Sequence, residues 1–95
     1  MTVPNWLEGL RDLLCKLYNI IDGDCVDFGS TAREQINLVQ SAYGPMSPTP
    51  GSWEEINATL DELEGHQALS TNPLSSSDDA ALTALIQSVR GKVTT

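Results

Sequence analysis

Aromatic residues are scarce in this sequence, which has one Phe, two Trp and two Tyr among 95 residues. Much of the remaining apolar bulk is Leu and Ile, a composition that favours helix packing over an aromatic-rich sheet or sandwich. The length is close to the common size of one domain. We therefore expect residues 1–95 to form a single all-α domain with a modest hydrophobic core.

Basic residues are also few, with five Lys and Arg against thirteen Asp and Glu, so the net charge is −8. A surface of this sign repels phosphate backbones and anionic lipid heads. We therefore expect neither a direct nucleic-acid partner nor a membrane partner. In the simplest interpretation the acidity provides solubility; in the sharper one it attracts a basic protein partner or mimics nucleic acid.

Export signals and cysteine motifs are missing as well. The first residues lack a basic region followed by a long apolar run, and no apolar run is long enough to span a membrane. We expect the chain to stay in the cytoplasm where it is made, or in a virion if it is a phage protein. Cys15 falls in a helical pattern and Cys25 in a short loop without CxxC spacing, which predicts two free thiols.

The first apolar segment predicts the longest helix, helix A, at about residues 5–22. Its apolar residues recur at steps of four and three, with a second row seven residues apart, so the helix has a wide apolar face. The first row is Trp6, Leu10, Leu13, Leu17 and Ile20, and the second row is Leu7, Leu14 and Ile21. This face is the widest in the chain, so we expect helix A to be the hub on which the other helices pack.

Three shorter helices follow. Helix B begins after the Thr31-x-x-Glu34 capping box and ends at Gly44-Pro45. Helix C opens at Ser52, with Glu55 as its capping-box partner, and is predicted to stop at Gly65. Helix D is predicted from about Asp78 to Arg90. Pro-rich and Ser-rich connectors precede and follow helix C, so the predicted fold is a small irregular bundle of about four helices with long connectors.

Catalytic and metal-binding motifs are not found. Asp22-Gly23-Asp24 followed by Asp27 superficially resembles a calcium loop, but Val26, Asp27 and Arg33 occupy the fifth, sixth and twelfth positions, where an EF-hand needs other residues. His66 is the single histidine and has no partner at a metal-ligand spacing. There is neither a phosphate-binding loop nor a nucleophile elbow. We expect no enzyme activity, no metal and no cofactor.

One short segment is similar to a known family. Asp27-Phe28-Gly29-Ser30, at the start of helix B, resembles the modification site of acyl and peptidyl carrier proteins, which are small acidic four-helix domains. That resemblance implies a phosphopantetheine arm on Ser30. In the family a Leu usually follows the serine, whereas Thr31 follows here. Without such modification, the expected role of Ser30 is to cap helix B.

Helix C offers a candidate docking surface. It holds five acidic residues and no basic ones, and an apolar stripe runs along its opposite face. The stripe either packs on helix A or docks onto another chain. We take this stripe and the second row of helix A as the predicted protein-interaction residues: Trp53, Ile56, Leu60, Leu63, Leu7, Leu14 and Ile21.

These patterns together favour a non-catalytic assembly or adaptor protein that binds larger protein partners, in a multi-subunit assembly or a homo-oligomer. By analogy, a bacteriophage virion accessory protein of the connector, cement or baseplate type fits this description. The first alternative is an acidic regulatory or inhibitory protein that binds and blocks an enzyme. The second alternative is a carrier-type domain modified at Ser30.

Overall fold

The computed structural model describes residues 5–25 and 28–93, and this part of the chain is helical and contains no strand. The four α-helices are α1 (Trp6–Asp22), α2 (Ala32–Tyr43), α3 (Trp53–Gln67) and α4 (Ser76–Lys92), with one 3₁₀ turn at Pro50–Ser52. They correspond in order to the predicted helices A to D. The prediction of a small all-α bundle is confirmed.

Side-chain caps determine where three of the helices begin. The side chains of Asn5, Thr31 and Ser75 each accept a hydrogen bond from a backbone N–H in the first turn of α1, α2 and α4. Such a cap supplies a partner to an N–H group that has none within the helix. The cap at Ser75 starts α4 before Asp78, so this helix is longer than predicted.

Helix α3 differs from its prediction at both ends. The Ser52 hydroxyl donates to the carbonyl of Thr49 (2.8 Å) and makes no capping hydrogen bond to α3. At the other end the helix continues through Gly65 to Gln67. A glycine inside a helix costs only about 1 kcal/mol, and contacts with α4 offset that cost because the Gln67 amide donates to the carbonyl of Asp79.

Three of the helices run in the same direction and α3 runs in the opposite one. Arg33 near the start of α2 pairs with Asp78 near the start of α4, and Gln40 lies beside Ser88 further along both helices. Helices α1 and α2 are parallel in the same way, because the Tyr43 hydroxyl at the end of α2 donates to a carbonyl late in α1. The starts of α1, α2 and α4 therefore lie at one end of the bundle, which we call the amino end.

Because α1 and α2 are parallel, the chain between them has to run back along α1, and the structure describes residues 23–25 and 28–31 of this crossover. Gly23 and Gly29 have φ values of 84° and 85°, in the left-handed region that glycine adopts without steric cost. Between them Phe28 is buried and its ring meets that of Tyr18 edge to face, with centroids 5.6 Å apart. Two glycine turns and one aromatic anchor thus hold this crossover against the bundle.

The hydrophobic core lies between the four helices. Helices α2 and α3 pack on α1, as predicted for a hub. Helix α4 packs mainly on α2 and α3 instead, so the prediction that all the other helices pack on helix A is wrong for α4. The buried hydrophobic residues from the helices are Trp6, Leu10, Leu14, Leu17, Ile36, Val39, Tyr43, Ile56, Leu60, Leu63, Leu82, Leu85, Ile86 and Val89.

A disulfide joins Cys15 and Cys25, so the prediction of two free thiols is wrong. The chain turns back immediately after α1 at Gly23, which brings Cys25 beside the middle of the helix with a Cα–Cα distance of 5.7 Å. This separation is typical of disulfides. The prediction failed because it placed Cys25 beyond the end of helix A, whereas the crossover returns alongside it.

Candidate functional site

The apolar stripe of α3 faces the core of its own chain. Ile56, Leu60 and Leu63 are fully buried. Trp53 is half-buried and its indole N–H donates to the carbonyl of Pro48 in the preceding connector (2.9 Å). In this conformation the three aliphatic side chains serve intramolecular packing, and Trp53 is the member of the stripe that retains some exposure.

The second row of helix A does not form one continuous surface. Leu14 is fully buried, Ile21 is half-buried, and Leu7 is 40% exposed. Ile21 lines a shallow depression of about 220 Å³ with Met46 at the end of the bundle opposite Leu7. The structure therefore separates Leu7 from the other predicted interaction residues.

Leu7 borders a groove at the amino end of the bundle, which we call the amino-end groove. Its volume is about 460 Å³, and it is formed by the first turns of α1, α2 and α4 with the connector before α4. The lining residues are Leu7, Glu8, Arg11, Ser30, Thr31, Ala32, Gln35, Pro73, Leu74, Ser75 and Asp78. Parallel packing of α1, α2 and α4 creates this groove, because it brings three helix starts together.

Apolar side chains from separate segments form the surface of the amino-end groove. Leu7 comes from α1, Ala32 from α2, and Pro73 and Leu74 from the connector before α4. Leu74 is half-buried, and the backbone N–H of Leu74 donates to the Asn72 side chain (2.9 Å), which fixes this connector. The sequence pattern predicts Leu7 as an interaction residue but not Ala32, Pro73 or Leu74, because no regular spacing along the chain links these three.

Hydrogen bonds and an ion pair hold the polar part of the same groove. Gln35 is 5% exposed, and its side-chain amide donates to the carbonyl of Gly29 (3.3 Å). Asp78 accepts from Arg33 (3.1 Å) and so links the starts of α4 and α2. The groove is thus held by contacts between separate helices and does not depend on one loop.

The basic side chains mostly make contacts within the chain. Among the described residues Lys16 pairs with Glu62, Arg33 with Asp78, and Arg90 with both Asp61 and Glu64. The Lys92 ammonium donates to the carbonyls of Gly44 and Met46 at the end of α2. With thirteen acidic residues against five basic ones, much of the negative charge remains uncompensated and available to attract a basic surface.

Ser30 is exposed at the rim of the amino-end groove, directly before α2. Its hydroxyl donates to the carboxylate of Glu34 (3.3 Å), and the N-cap of α2 is Thr31, not Ser30. The expectation that Ser30 caps this helix is therefore corrected by one residue. Asp27, part of the segment that resembles a carrier-protein site, lies outside the described residues.

His66 connects the end of α3 to the start of α1. Its ring stacks on that of Trp6 with centroids 4.5 Å apart, and its Nε2 atom lies 2.8 Å from the Trp6 carbonyl oxygen. In return the Trp6 indole N–H donates to the His66 carbonyl (2.9 Å). The contact needs glycine at position 9, because a Cβ atom there would lie 2.6 Å from the imidazole Cε1. His66 thus has a structural role at this end of the bundle.

The segment that superficially resembles a calcium loop begins at Asp22, the last residue of α1, and continues into the crossover. Asp22 and Asp24 are exposed, whereas Val26 and Asp27 lie outside the described residues. Within residues 5–25 and 28–93, no cluster of three or more His, Cys, Asp or Glu side chains is arranged to hold a metal ion. Within the same ranges, no helix is both long enough and apolar enough to cross a membrane.

No protein family, curated protein or solved structure matches the chain.

Proposed function

We propose that this protein is a non-catalytic adaptor or assembly subunit that docks a basic protein partner, with an apolar side chain of the partner inserted in the amino-end groove. The observation that carries the proposal is the position of Leu7, which is 40% exposed at the edge of a preformed groove that also presents Ala32, Pro73 and Leu74. Preformed concave sites with apolar walls and a few polar groups are typical binding sites.

Apolar contacts in the groove and the net charge of the protein both contribute to this role. Burying the remaining exposed part of Leu7 stabilises a complex by about 1 kcal/mol, and an inserted partner side chain adds about 1.5 to 3 kcal/mol. Interfaces draw most of their affinity from a few such buried anchors. The net charge of −8 speeds encounter with a basic partner and opposes association with acidic ones.

The Cys15–Cys25 disulfide bears on where such a subunit works. Disulfides persist in oxidising settings, which include cell surfaces and virions, and are rare in a reducing cytoplasm. Of the two locations expected from the sequence, the virion is therefore the better supported. A virion accessory protein of the connector, cement or baseplate type is the specific form that we propose.

Site-specific photo-crosslinking in the native source tests the docking site. A photoreactive residue replaces Leu7 in one variant and Leu38 in another. Leu38 is a matched control because it is 37% exposed, lies on α2 and does not line the groove. We expect a discrete cross-linked product with a basic protein from position 7 and none from position 38. Equal products from both positions, or none from position 7, would contradict the proposal.

The composition of the complex distinguishes the alternatives. An assembly subunit gives multi-copy complexes of fixed stoichiometry in native mass spectrometry, whereas an inhibitory protein gives a one-to-one complex with an enzyme. A carrier-type domain is recognised without any partner, because a phosphopantetheine arm on Ser30 raises the intact mass of protein isolated from its source. We expect the unmodified mass and the multi-copy complex.

A further inference from the structure

Besides the amino-end groove, the structure has a groove whose lining includes Cys15 of the disulfide. It has a volume of about 480 Å³ and lies between α1 and α3, lined by Asp12, Cys15, Lys16, Asn19, Ile20 and Glu55. The α1 residues of this set recur at helical spacing and so share one face. Cys15 lines the groove and is half-buried rather than fully buried, so a small molecule can lie beside this residue while the bundle stays folded.

We propose that the Cys15–Cys25 disulfide is a thiol–disulfide exchange site, attacked from this groove at Cys15 by small thiols and selective for cationic over anionic ones. A disulfide buried in the core opens only when the protein unfolds, whereas one that borders an open groove exchanges directly, since rates depend on access to the attacked sulfur. Cys15 lines the groove and Cys25 does not, which makes Cys15 Sγ the attacked atom.

The first step is a substitution at sulfur. The thiolate of the small molecule attacks Cys15 Sγ, a new S–S bond forms, and the Cys15–Cys25 bond breaks. Its electron pair leaves on Cys25 Sγ, which takes a proton from water. Cys15 is then a mixed disulfide and Cys25 a free thiol, so the number of disulfide bonds is unchanged.

The second step consumes another small thiol. Its thiolate attacks the outer sulfur of the mixed disulfide, releases a small symmetrical disulfide, and leaves the electron pair on Cys15. Two small thiols have then been oxidised and the protein disulfide reduced by two electrons. The Asn19 side-chain amide, which lies 3.7 Å from Cys15 Sγ, donates to the sulfur that becomes negative in this step.

The charges along the groove determine which thiols react fastest. Asp12 and Glu55 are exposed acids, and no ion pair among the described residues includes either of them. Lys16 is the basic residue of the groove, and its ammonium pairs with Glu62 at 3.2 Å. The local field is therefore negative, which concentrates a cationic thiol at Cys15 and repels an anionic one.

A pair of small thiols of opposite charge tests the selectivity. The probes are 2-mercaptoethylamine and 3-mercaptopropionate, with rates expressed per thiolate and divided by the rates of the same thiols on a neutral reference disulfide. The two carboxylates that line the groove with Cys15 predict that the cationic probe reacts about tenfold faster than the anionic one at low ionic strength. The ratio of the two rates should fall towards one in concentrated salt. Equal corrected rates at low ionic strength would overturn the proposal.

Substitutions in the groove locate the source of the preference. Asp12→Asn and Glu55→Gln should each bring the ratio of the cationic-probe rate to the anionic-probe rate closer to one. Glu54→Gln is the matched control, since Glu54 is an exposed neighbour on α3 that does not line the groove. A larger change from Glu54→Gln than from the groove variants would overturn the assignment of the groove.

Two measurements on the unaltered protein test the attacked atom and the route. Acid quenching early in the reaction, followed by peptide mass mapping, should show the adduct on Cys15 and a free thiol on Cys25; the reverse pattern would refute attack at Cys15. The rate should also rise linearly with thiol concentration. A rate that is the same for both thiols and independent of their concentration would mean that unfolding precedes exchange, and the proposal would be wrong.

Discussion

Replacing Gly9 with alanine is predicted to destabilise the protein, although alanine is the better helix former. In an open helical position this substitution stabilises by up to about 1 kcal/mol. At Gly9 the added Cβ would lie 2.6 Å from Cε1 and 3.0 Å from Nε2 of His66. The imidazole must therefore move away from α1.

The magnitude follows from the contacts that the moving ring loses. A hydrogen bond such as that between His66 Nε2 and the Trp6 carbonyl contributes about 1 kcal/mol, and a stacked pair about 0.5 to 1.5 kcal/mol beyond its buried area. Packing strain around the displaced ring adds about 1 kcal/mol. After subtraction of the gain of about 1 kcal/mol in helix propensity, Gly9→Ala should lower the free energy of unfolding by about 1.5 to 2.5 kcal/mol.

Urea unfolding followed by circular dichroism measures this difference as a shift in midpoint at constant slope. Gly65→Ala is the control, because a Cβ atom at that helical position meets no neighbouring atom within 4 Å, and this variant should be more stable than the parent. In a His66→Ala background, Gly9→Ala should also become stabilising. A stabilised Gly9→Ala variant in the parent background would refute the role assigned to His66.

Two further predictions concern the crossover and the core. Serine at both Cys15 and Cys25 should lower the free energy of unfolding by about 3 kcal/mol, because the bridge closes a loop of about ten residues; reduced parent protein should show the same urea midpoint. Tyr43→Phe should cost about 1 kcal/mol by removing the hydrogen bond to the Leu17 carbonyl (2.6 Å). Burial and the nearby Glu55 carboxylate raise the pKa of Tyr43 above 10.0. Above about pH 10 the unfolded chain therefore loses the phenolic proton of Tyr43 while the folded state keeps it, so the parent should lose stability as the pH rises. In a pH series of thermal melts, the Tyr43→Phe variant should lose less stability than the parent over this range.

The helices were predictable because their signals are local. The steps of four and three in helix A and the Thr31-x-x-Glu34 pattern before α2 depend on residues within a few turns of each other. The structure has the predicted helix α1 and the cap that Thr31 supplies to the backbone N–H of Glu34. The end of α3 was not predictable in this way. The sequence predicts that the helix stops at Gly65, but contacts made by Gln67 with the distant α4 extend it by two residues.

The candidate site was predictable only in part. Leu7 belongs to a row of three apolar residues with equal spacing, yet the structure places Leu7, Leu14 and Ile21 in three different environments. Which of them faces solvent depends on where α2 and α3 cover α1, and that depends on helix direction. The parallel arrangement of α1 and α2 also brings Cys25 beside Cys15, so the same missing information explains the wrong prediction of free thiols.

The crossover also limits how the chain length can vary in evolution. To return from Asp22 to the start of α2 it must span roughly 23 Å, given the rise per residue and the usual spacing of packed helices. Its nine residues reach about 30 Å when extended, so the removal of more than about two of them would make the crossover too short. The connector between α3 and α4 joins neighbouring ends of an antiparallel pair and has no such minimum. Short deletions in natural variants should therefore be tolerated at 68–71, before the residues that form the amino-end groove and cap α4, and not at 23–31.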